Sequence, residues 1–376
     1  MSYVPKVSVA MASYNHAQYV AGALQSVLEQ SFQDFEIVVT DDGSVDGTAE
    51  EANRVRDPRI SVTALPTNVG GSIALNSSIL RCRGRYVAVL NSDDVFLPGK
   101  LERQVRFMDE HPEIGALFGY PDFIDEDGTR LAPGETFYGR TFQVINRSRA
   151  EWLRHFFFNG NALCHPSVLI RRRCYGAVGL YNPALAQLPD LEMWIRLLRR
   201  FNIQVLPEPL VGFRIFRDDR NASAGRPDAI ARVQWEWLRV LPHYLSLDSG
   251  LLAQVFPELP DTSSRPSTPE RAIRHIRRLL RGPTAQRRSA LSQNVASGSS
   301  NSNSRLPMMW HFGRLACGVG KSPHVLFGLD LMHRAAVHCD DPALYREFIR
   351  FTGAYDIFDV LSKASNLPQT VQPERC

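Results

Sequence analysis

Two pairs of adjacent carboxylates stand out in the 376-residue chain: Asp93-Asp94 within Asn91-Ser92-Asp93-Asp94, and Asp41-Asp42 within Asp41-Asp42-Gly43-Ser44. Neighbouring acids repel each other, so a site that holds them needs a cation or a shared proton. Hard oxygen donors suit Mg²⁺ or Mn²⁺, and such an ion usually accompanies a phosphate. Each pair also reads as a capping or turn sequence with Asx hydrogen bonds. Ser13-Tyr14-Asn15 offers an aromatic face for a nucleobase, or else a capped turn. Asp190 stands where the N-cap of an amphipathic helix belongs, ahead of Leu191, Ile195 and Leu198. His165 has no second histidine at helical spacing and reads as structural.

The elements around these residues explain their placement. Short apolar runs at Val7–Ala12, Phe35–Thr40, Ile60–Leu65 and Tyr86–Leu90 read as strands. Helical patterns lie between them at Ala17–Gln30, Thr48–Arg56 and Ser72–Cys82. Continuous rather than alternating apolarity predicts strands buried on both faces, joined by βαβ crossovers. In open α/β sheets the ligand site lies beyond the carboxyl ends of the strands. Ser13-Tyr14-Asn15, Asp41-Asp42 and Asp93-Asp94 all follow strands. Further on, Lys100–Glu110 reads as a helix, Ile114–Gly119, Ser167–Ile170, Ile203–Leu206 and Leu210–Phe216 as strands, and Asp125–Gly128 as a hairpin turn.

Composition narrows the classes. Hydrophobic residues make 44% of the chain and charged residues 22%, which fits a folded globule rather than a disordered or fibrous chain. A net charge of +4 gives no basic footprint for nucleic acid. Six cysteines show neither C-x-x-C nor metal-finger spacing. No apolar run approaches the roughly 18 residues of a spanning helix, and Val7–Ala12 is too short for a signal peptide. The expected location is the cytoplasm or the inner face of the membrane. Two motifs fail. Gly318-Val319-Gly320-Lys321-Ser322 lacks the first glycine of a phosphate loop, because Leu315 stands there, and no G-x-G-x-x-G follows the first strand.

Taken in order, the segments Val7–Asn15, Gln30–Ser44, Asn68-Val69-Gly70-Gly71, Asn91–Asp94, His165-Pro166-Ser167, Asp190–Leu197 and Leu206–Val211 form a constellation. It strongly resembles glycosyltransferase family 2, inverting nucleotide-sugar enzymes of the GT-A fold. The resemblance covers about residues 5–225. It implies an α/β fold, a Rossmann-like mixed sheet flanked by helices, with a C-terminal helical extension. It implies a nucleotide-diphosphate sugar donor (UDP first among the bases), a sugar or glycolipid acceptor, and Mg²⁺ or Mn²⁺. Residue by residue, it assigns Ala12, Ser13 and Tyr14 to the nucleoside pocket wall, Asp42 to the base, Asp93 to the ribose, Asp94 to the metal and Asp190 to the catalytic base.

The chain departs from the family at three positions. Ala12 replaces a proline. Leu75 stands where an arginine near the diphosphate is common, with Arg81, Arg83 and Arg85 as candidate substitutes. Phe216 stands where many relatives have a histidine that completes the metal shell. Leu75 and Phe216 favour the alternative of a degenerate nucleotide-sugar or carbohydrate-binding relative without turnover. The four intact aspartates oppose it. A sugar-nucleotidyltransferase would want a Gly-rich basic loop after the first strand, which Ser13–Gln18 does not supply.

The expected organisation is a catalytic domain at 1–225, a helical segment at 226–259, a linker at 260–305 containing a basic helix at 269–281, and a small α-helical region at 306–376. In the basic helix, Ile273, Ile276, Leu279 and Leu280 recur at helical spacing among Arg271, Arg274, Arg277, Arg278 and Arg281. That pattern fits either packing on the catalytic domain or peripheral contact with an anionic bilayer. Co-sedimentation with anionic vesicles separates the two. Membrane contact predicts binding at low salt that is lost at high salt and on changing the five arginines to glutamine; absence of binding leaves the packing role.

Overall fold

The computed structural model describes residues 3–136, 138–217, 221, 226–259 and 306–337. The expected linker with its basic helix, and the tail beyond residue 337, lie outside them. The chain divides into two units, Met1–Val233 and Gln234–Cys376.

In the first unit, β1 (Val7–Ser13), β2 (Phe35–Asp41), β3 (Ile60–Ala64) and β4 (Tyr86–Asn91) run parallel in the spatial order β3-β2-β1-β4. Helices α1 (Val20–Leu28), α2 (Thr48–Arg54) and α3 (Gly71–Arg81) connect them. Both faces of β1 and β2 are covered, as their unbroken apolarity predicts. Alternate residues sort to the two sides. Val7, Val9 and Met11 join Ile37, Val39, Ala88 and Leu90 in a core shared with Leu24 and Val27 of α1. Leu101, Val105 and Met108 of α4 (Lys100–Glu110) complete this core. On the other face Ser78 of α3 donates to the Met11 carbonyl at 2.8 Å and lies 2.7 Å from the Thr40 hydroxyl. β3 departs from the expectation of two-sided burial. It is the edge strand, and only one neighbour shields it.

The rest of the sheet is mixed. β5 (Val95–Phe96), β6 (Ile114–Ile124), β7 (Leu169–Arg171) and β8 (Asn202–Arg214) extend it to the order β3-β2-β1-β4-β7-β6-β8-β5. β7 pairs antiparallel with both β4 and β6, and β8 runs parallel to β6. β8 is one long irregular strand rather than two. Its pairing with β6 shifts register near Tyr120 and Pro121, which accommodates Pro207 and Pro209. Helix α5 (Arg149–Asn159) opens with a capping box in which Ser148 and Glu151 each bond the other's backbone N–H. α6 (Arg172–Val178) and α7 (Pro189–Leu198) precede β8. Pro189 takes the first helical position of α7, where its missing N–H costs nothing. Asp190 is therefore the second helical residue and not the N-cap.

Helix α8 (Pro227–Val240) spans the division between the units. The second unit contains α9 (Ser249–Val255), α10 (Leu306–Gly318) and α11 (Ser322–Val337). Asp248 caps α9 by accepting from Leu251 N at 2.8 Å. Gly313 and Gly328 let α10 and α11 approach backbone to backbone: a Cβ on Gly328 would lie 2.4 Å from the Gly313 carbonyl oxygen. The glycine–lysine sequence at 318–322 is the turn between these helices. Among the described residues no helix is long and apolar enough to cross a membrane.

One buried charge carries a pH signature. Lys100 is fully buried, with Nζ donating to Gln104 Oε1 at 2.7 Å and lying 4.1 Å from the centre of the Phe96 ring. Burial lowers its pKa from 10.5 to about 7. Above that value the unfolded chain holds a proton that the folded protein lacks, so stability rises with pH. We expect the Lys100→Met variant to lose a rise of up to ~1.4 kcal/mol per pH unit, measured by urea unfolding from about pH 7 to about pH 9, below the main titration of tyrosine.

Candidate active site

The carboxyl ends of β1, β2 and β4 converge on one set of loops. β1 ends in Ala12 and Ser13, and Ser13 Oγ donates to Asp41 Oδ1 at 2.9 Å. Tyr14 follows, with 43% of its surface exposed. Asn15 has φ +52°, the only positive value at a non-glycine among the described residues. Strain of this kind persists where the surroundings over-determine it. Here Asn15 N donates to Ser44 Oγ at 2.9 Å, Val45 N donates to Asn15 Oδ1 at 3.1 Å, and His16 N donates to Thr48 Oγ1 at 2.8 Å.

Asp41 and Asp42 are both buried, and both act as loop clamps. Asp41 also accepts from Ser44 N at 2.9 Å and Ser44 Oγ at 2.6 Å. Asp42 accepts from Val69 N at 2.8 Å and Gly70 N at 2.9 Å, so it ties the loop before α3 to the end of β2. Each Asp42 oxygen accepts one bond and keeps a second lone pair, whereas Asp41 Oδ1 already accepts from two hydroxyls. Between them and Ser44, Gly43 has φ +69°, and a Cβ there would lie 2.5 Å from the Thr67 carbonyl carbon.

The second acid pair is unequal. Asp94 is 1% exposed; it accepts from Arg214 N at 2.8 Å and from Asn91 Nδ2 at 2.8 Å. Burial, and then the Asp93 charge, hold its pKa well above the ordinary carboxylate range, against the pull of Arg214 and Asn91. Asp93 keeps the more open carboxylate, with Oδ1 4.0 Å from His16 Nδ1. His16 Nδ1 lies 2.8 Å from Ser92 Oγ. Arg214 donates from Nε to the Asp93 carbonyl at 2.8 Å and from Nη1 to the carbonyls of Asp125 and Glu126 at 2.6 and 2.9 Å. Its guanidinium lies 4.7 Å from the centre of the Tyr19 ring, and Tyr19 packs edge-on against Phe216 at 5.5 Å. Phe216 in turn lies nearly parallel to the His16 ring at 6.4 Å.

Asp190 is half-buried at the start of α7. Its Oδ2 accepts from Asn161 Nδ2 at 2.6 Å, and its Oδ1 accepts from Leu191 N at 2.7 Å. One turn on, the buried Trp194 packs edge-on against Phe118 at 4.8 Å. The loop into α7 is tied to α3: Asn76 Nδ2 donates to the Tyr181 carbonyl at 2.7 Å, and Tyr181 N donates to Asn76 Oδ1 at 3.0 Å. Arg196 pairs with Glu192 at 2.8 Å and donates to the Leu180 carbonyl at 2.7 Å. His165 Nε2 lies 3.0 Å from Tyr181 Oη, and desolvation lowers its pKa to about 4, so the ring is neutral near pH 7.

Sequence reasoning missed His16, Asn161, Asn76, Arg196 and Arg214 as parts of this site. The i,i+4 spacing of Glu192 and Arg196 was a readable signal for one of them. The others depend on contacts between residues distant in the chain. The candidate arginines are engaged elsewhere. Arg81 donates to the Val39 carbonyl and Thr40 Oγ1, both at 2.7 Å. Arg83 pairs with Glu36 and Arg85 with Asp109, both near the amino ends of the strands.

The segment 161–165 makes one contact with the start of α7. Asn161 holds Asp190, and three residues later the buried Cys164 has its thiol pKa raised by burial and then by the charge of Asp94. No group of three or more His, Cys, Asp or Glu side chains that could hold a metal alone occurs among the described residues. Asp93 and Asp94 nevertheless fit a hard cation whose remaining ligands are phosphate oxygens and water, the usual arrangement for Mg²⁺.

Residues 8–173 match the sequence model of the family described as "Glycosyl transferase family 2". The chain is 32% identical over 230 residues to the "Putative teichuronic acid biosynthesis glycosyltransferase TuaG" of Bacillus subtilis, covering 59% of this chain and 84% of that protein. It is 28% identical over 224 residues to the "Uncharacterized glycosyltransferase MJ1057" of Methanocaldococcus jannaschii, covering 58% and 74%. Its fold is similar to that of S. aureus TarS 1-349, solved in complex with UDP, with TM-score 0.54, 17% identity, and coverage of 93% of this chain and 92% of that one.

Proposed function

The chain belongs to glycosyltransferase family 2 and is a glycosyltransferase that uses a nucleotide-diphosphate sugar, and from this premise we propose an inverting transfer to a sugar hydroxyl with Asp190 as base. The acceptor belongs to a cell-surface polysaccharide or glycolipid, as the name of the TuaG relative suggests. UDP is the donor nucleotide, in line with the ligand of the S. aureus structure. The observation that carries the reading is the convergence of the loops after β1, β2 and β4, where the more open Asp93 adjoins the buried Asp94 just beyond the end of β4.

In this reading Tyr14 supports the nucleobase from its exposed position at the end of β1, with Ala12 and Ser13 as the wall and Asp42 beneath. Asp190 takes the proton of the acceptor hydroxyl as that oxygen attacks the anomeric carbon. Asn161 fixes the carboxylate by donating to Oδ2. The first turn of α7 adds the positive end of the helix dipole. Asp93 and Asp94 hold the cation, and the openness of Asp93 favours it as the direct ligand, with Asp94 as the buried anchor of the loop. When bound, Mg²⁺ or Mn²⁺ neutralises charge on the departing diphosphate.

Two measurements test the assignments. Asp190→Asn keeps shape and helix position; transfer should fall about 10²–10⁴-fold while nucleotide affinity persists. Loss of nucleotide affinity with transfer retained would overturn the role. Mn²⁺ titration followed by electron paramagnetic resonance in the presence of UDP should show that Asp93→Asn weakens the ion at unchanged melting temperature. Asp94→Asn should lower the melting temperature. Mn²⁺ lost only with Asp94→Asn would return the ligand role to that residue.

A further inference from the structure

Asp190 reaches the site on α7, and the loop that leads into α7 is neither strand nor helix between Val178 and Pro189. Its buried backbone groups must therefore find partners on other elements. At Tyr181, itself 2% exposed, one side chain supplies both. Asn76 Nδ2 donates to the Tyr181 carbonyl at 2.7 Å, and Asn76 Oδ1 accepts from Tyr181 N at 3.0 Å. A neighbouring strand would pair the residue in the same way. One turn earlier on the same face of α3, Ser72 Oγ donates to the Leu185 carbonyl at 3.3 Å. From the other side, Arg196 of α7 donates to the Leu180 carbonyl at 2.7 Å. Helices α3 and α7 thus grip adjacent residues of the loop, so the place of α7 is set against α3 without relying on the rest of the loop.

The start of α3 is fixed to the nucleotide side of the site. Asp42 accepts from Val69 N at 2.8 Å and Gly70 N at 2.9 Å, just before the helix begins at Gly71. Ala74, Leu75, Ser78 and Ile79 bury the opposite side of the helix, which holds it as a rigid body. Gly70 and Asn76 are six residues apart, about 9 Å of helical rise. One short helix therefore joins the acid read above as lying beneath the nucleobase to the loop that leads to the base. Only a carboxamide serves both Tyr181 groups. A carboxylate at 76 would set an anionic oxygen against the Tyr181 carbonyl, and an alanine would leave both buried groups without this partner. We propose that Asn76 is a positioning residue for the catalytic base: through Tyr181 it fixes Asp190 relative to the donor nucleoside. The inference rests on the reading of Asp190 as the base.

The test is donor hydrolysis by the full chain, with water in place of the acceptor hydroxyl. UDP release is followed from UDP-glucose, UDP-galactose and UDP-N-acetylglucosamine, and UDP affinity is measured by calorimetry. Asn76→Ala and Asn76→Asp should each lower kcat by roughly 10–100-fold, the scale of a misplacement near 1 Å. Donor KM and UDP affinity should not change. Placed on Asp190→Asn, neither substitution should slow the residual rate further, because a base already removed has no position to lose. A wild-type kcat in both variants overturns the inference. So does loss of UDP affinity or a raised donor KM in both, or a further fall on Asp190→Asn, since each marks a contact that serves the fold alone. Wild-type kcat in Asp190→Asn, or no hydrolysis of the three donors by the wild type, instead rejects the catalytic reading beneath it.

Discussion

Buried carboxylates hold the loops of this site, and they do so by accepting backbone hydrogens. Asp42 takes the N–H groups of Val69 and Gly70, Asp41 that of Ser44, and Asp94 that of Arg214. An enclosed carboxylate left unpaired costs several kcal/mol, so a fold that buries one must bring donors to it. Bringing the donors fixes three loops that share no sequence neighbourhood. Arg214 extends the constraint, because its backbone serves Asp94 while its side chain binds the carbonyls of Asp93, Asp125 and Glu126.

This arrangement divides labour among acids of one type. Asp41, Asp42 and Asp94 are hidden, each bound by backbone donors. Asp93, Asp190 and the ring of Tyr14 are more open, and the proposed chemistry falls on them. Desolvation explains the split. It raises the pKa of Asp94, which makes a bare charge there costly and suits the residue to anchoring. Asp190 keeps part of its surface and receives a donor from Asn161, which suits a base held in one orientation.

The sheet supplies the second constraint. Its parallel half brings three strand ends to one edge. β7 lies antiparallel beside β4, and the segment before it carries Asn161, which reaches Asp190 at the start of α7. The tie from Asn76 to Tyr181 closes the circuit by anchoring the loop into α7 on α3. Asp190 is thus positioned by α3, α7 and the approach to β7 together.

The sequence by itself determined the alternation of strand and helix through residue 90, the placing of both acid pairs after strands, and the amphipathic helix that carries Asp190. Those features are local: unbroken apolar runs report two-sided burial, and helical spacing reports one buried face. It left open which aspartates are clamps and which are open, because adjacent acids such as Asp93 and Asp94 have the same chemistry until burial separates them. It gave no sign of Asn161, His16 or Arg214, whose partners lie 29, 76 and 120 residues away. It misplaced the cap of α7 by letting Asp190 outrank Pro189, and it proposed arginines that Thr40, Glu36 and Asp109 had already engaged. Only tertiary structure decided these points, because desolvation and long-range hydrogen bonding depend on what the fold brings near, which no local pattern records.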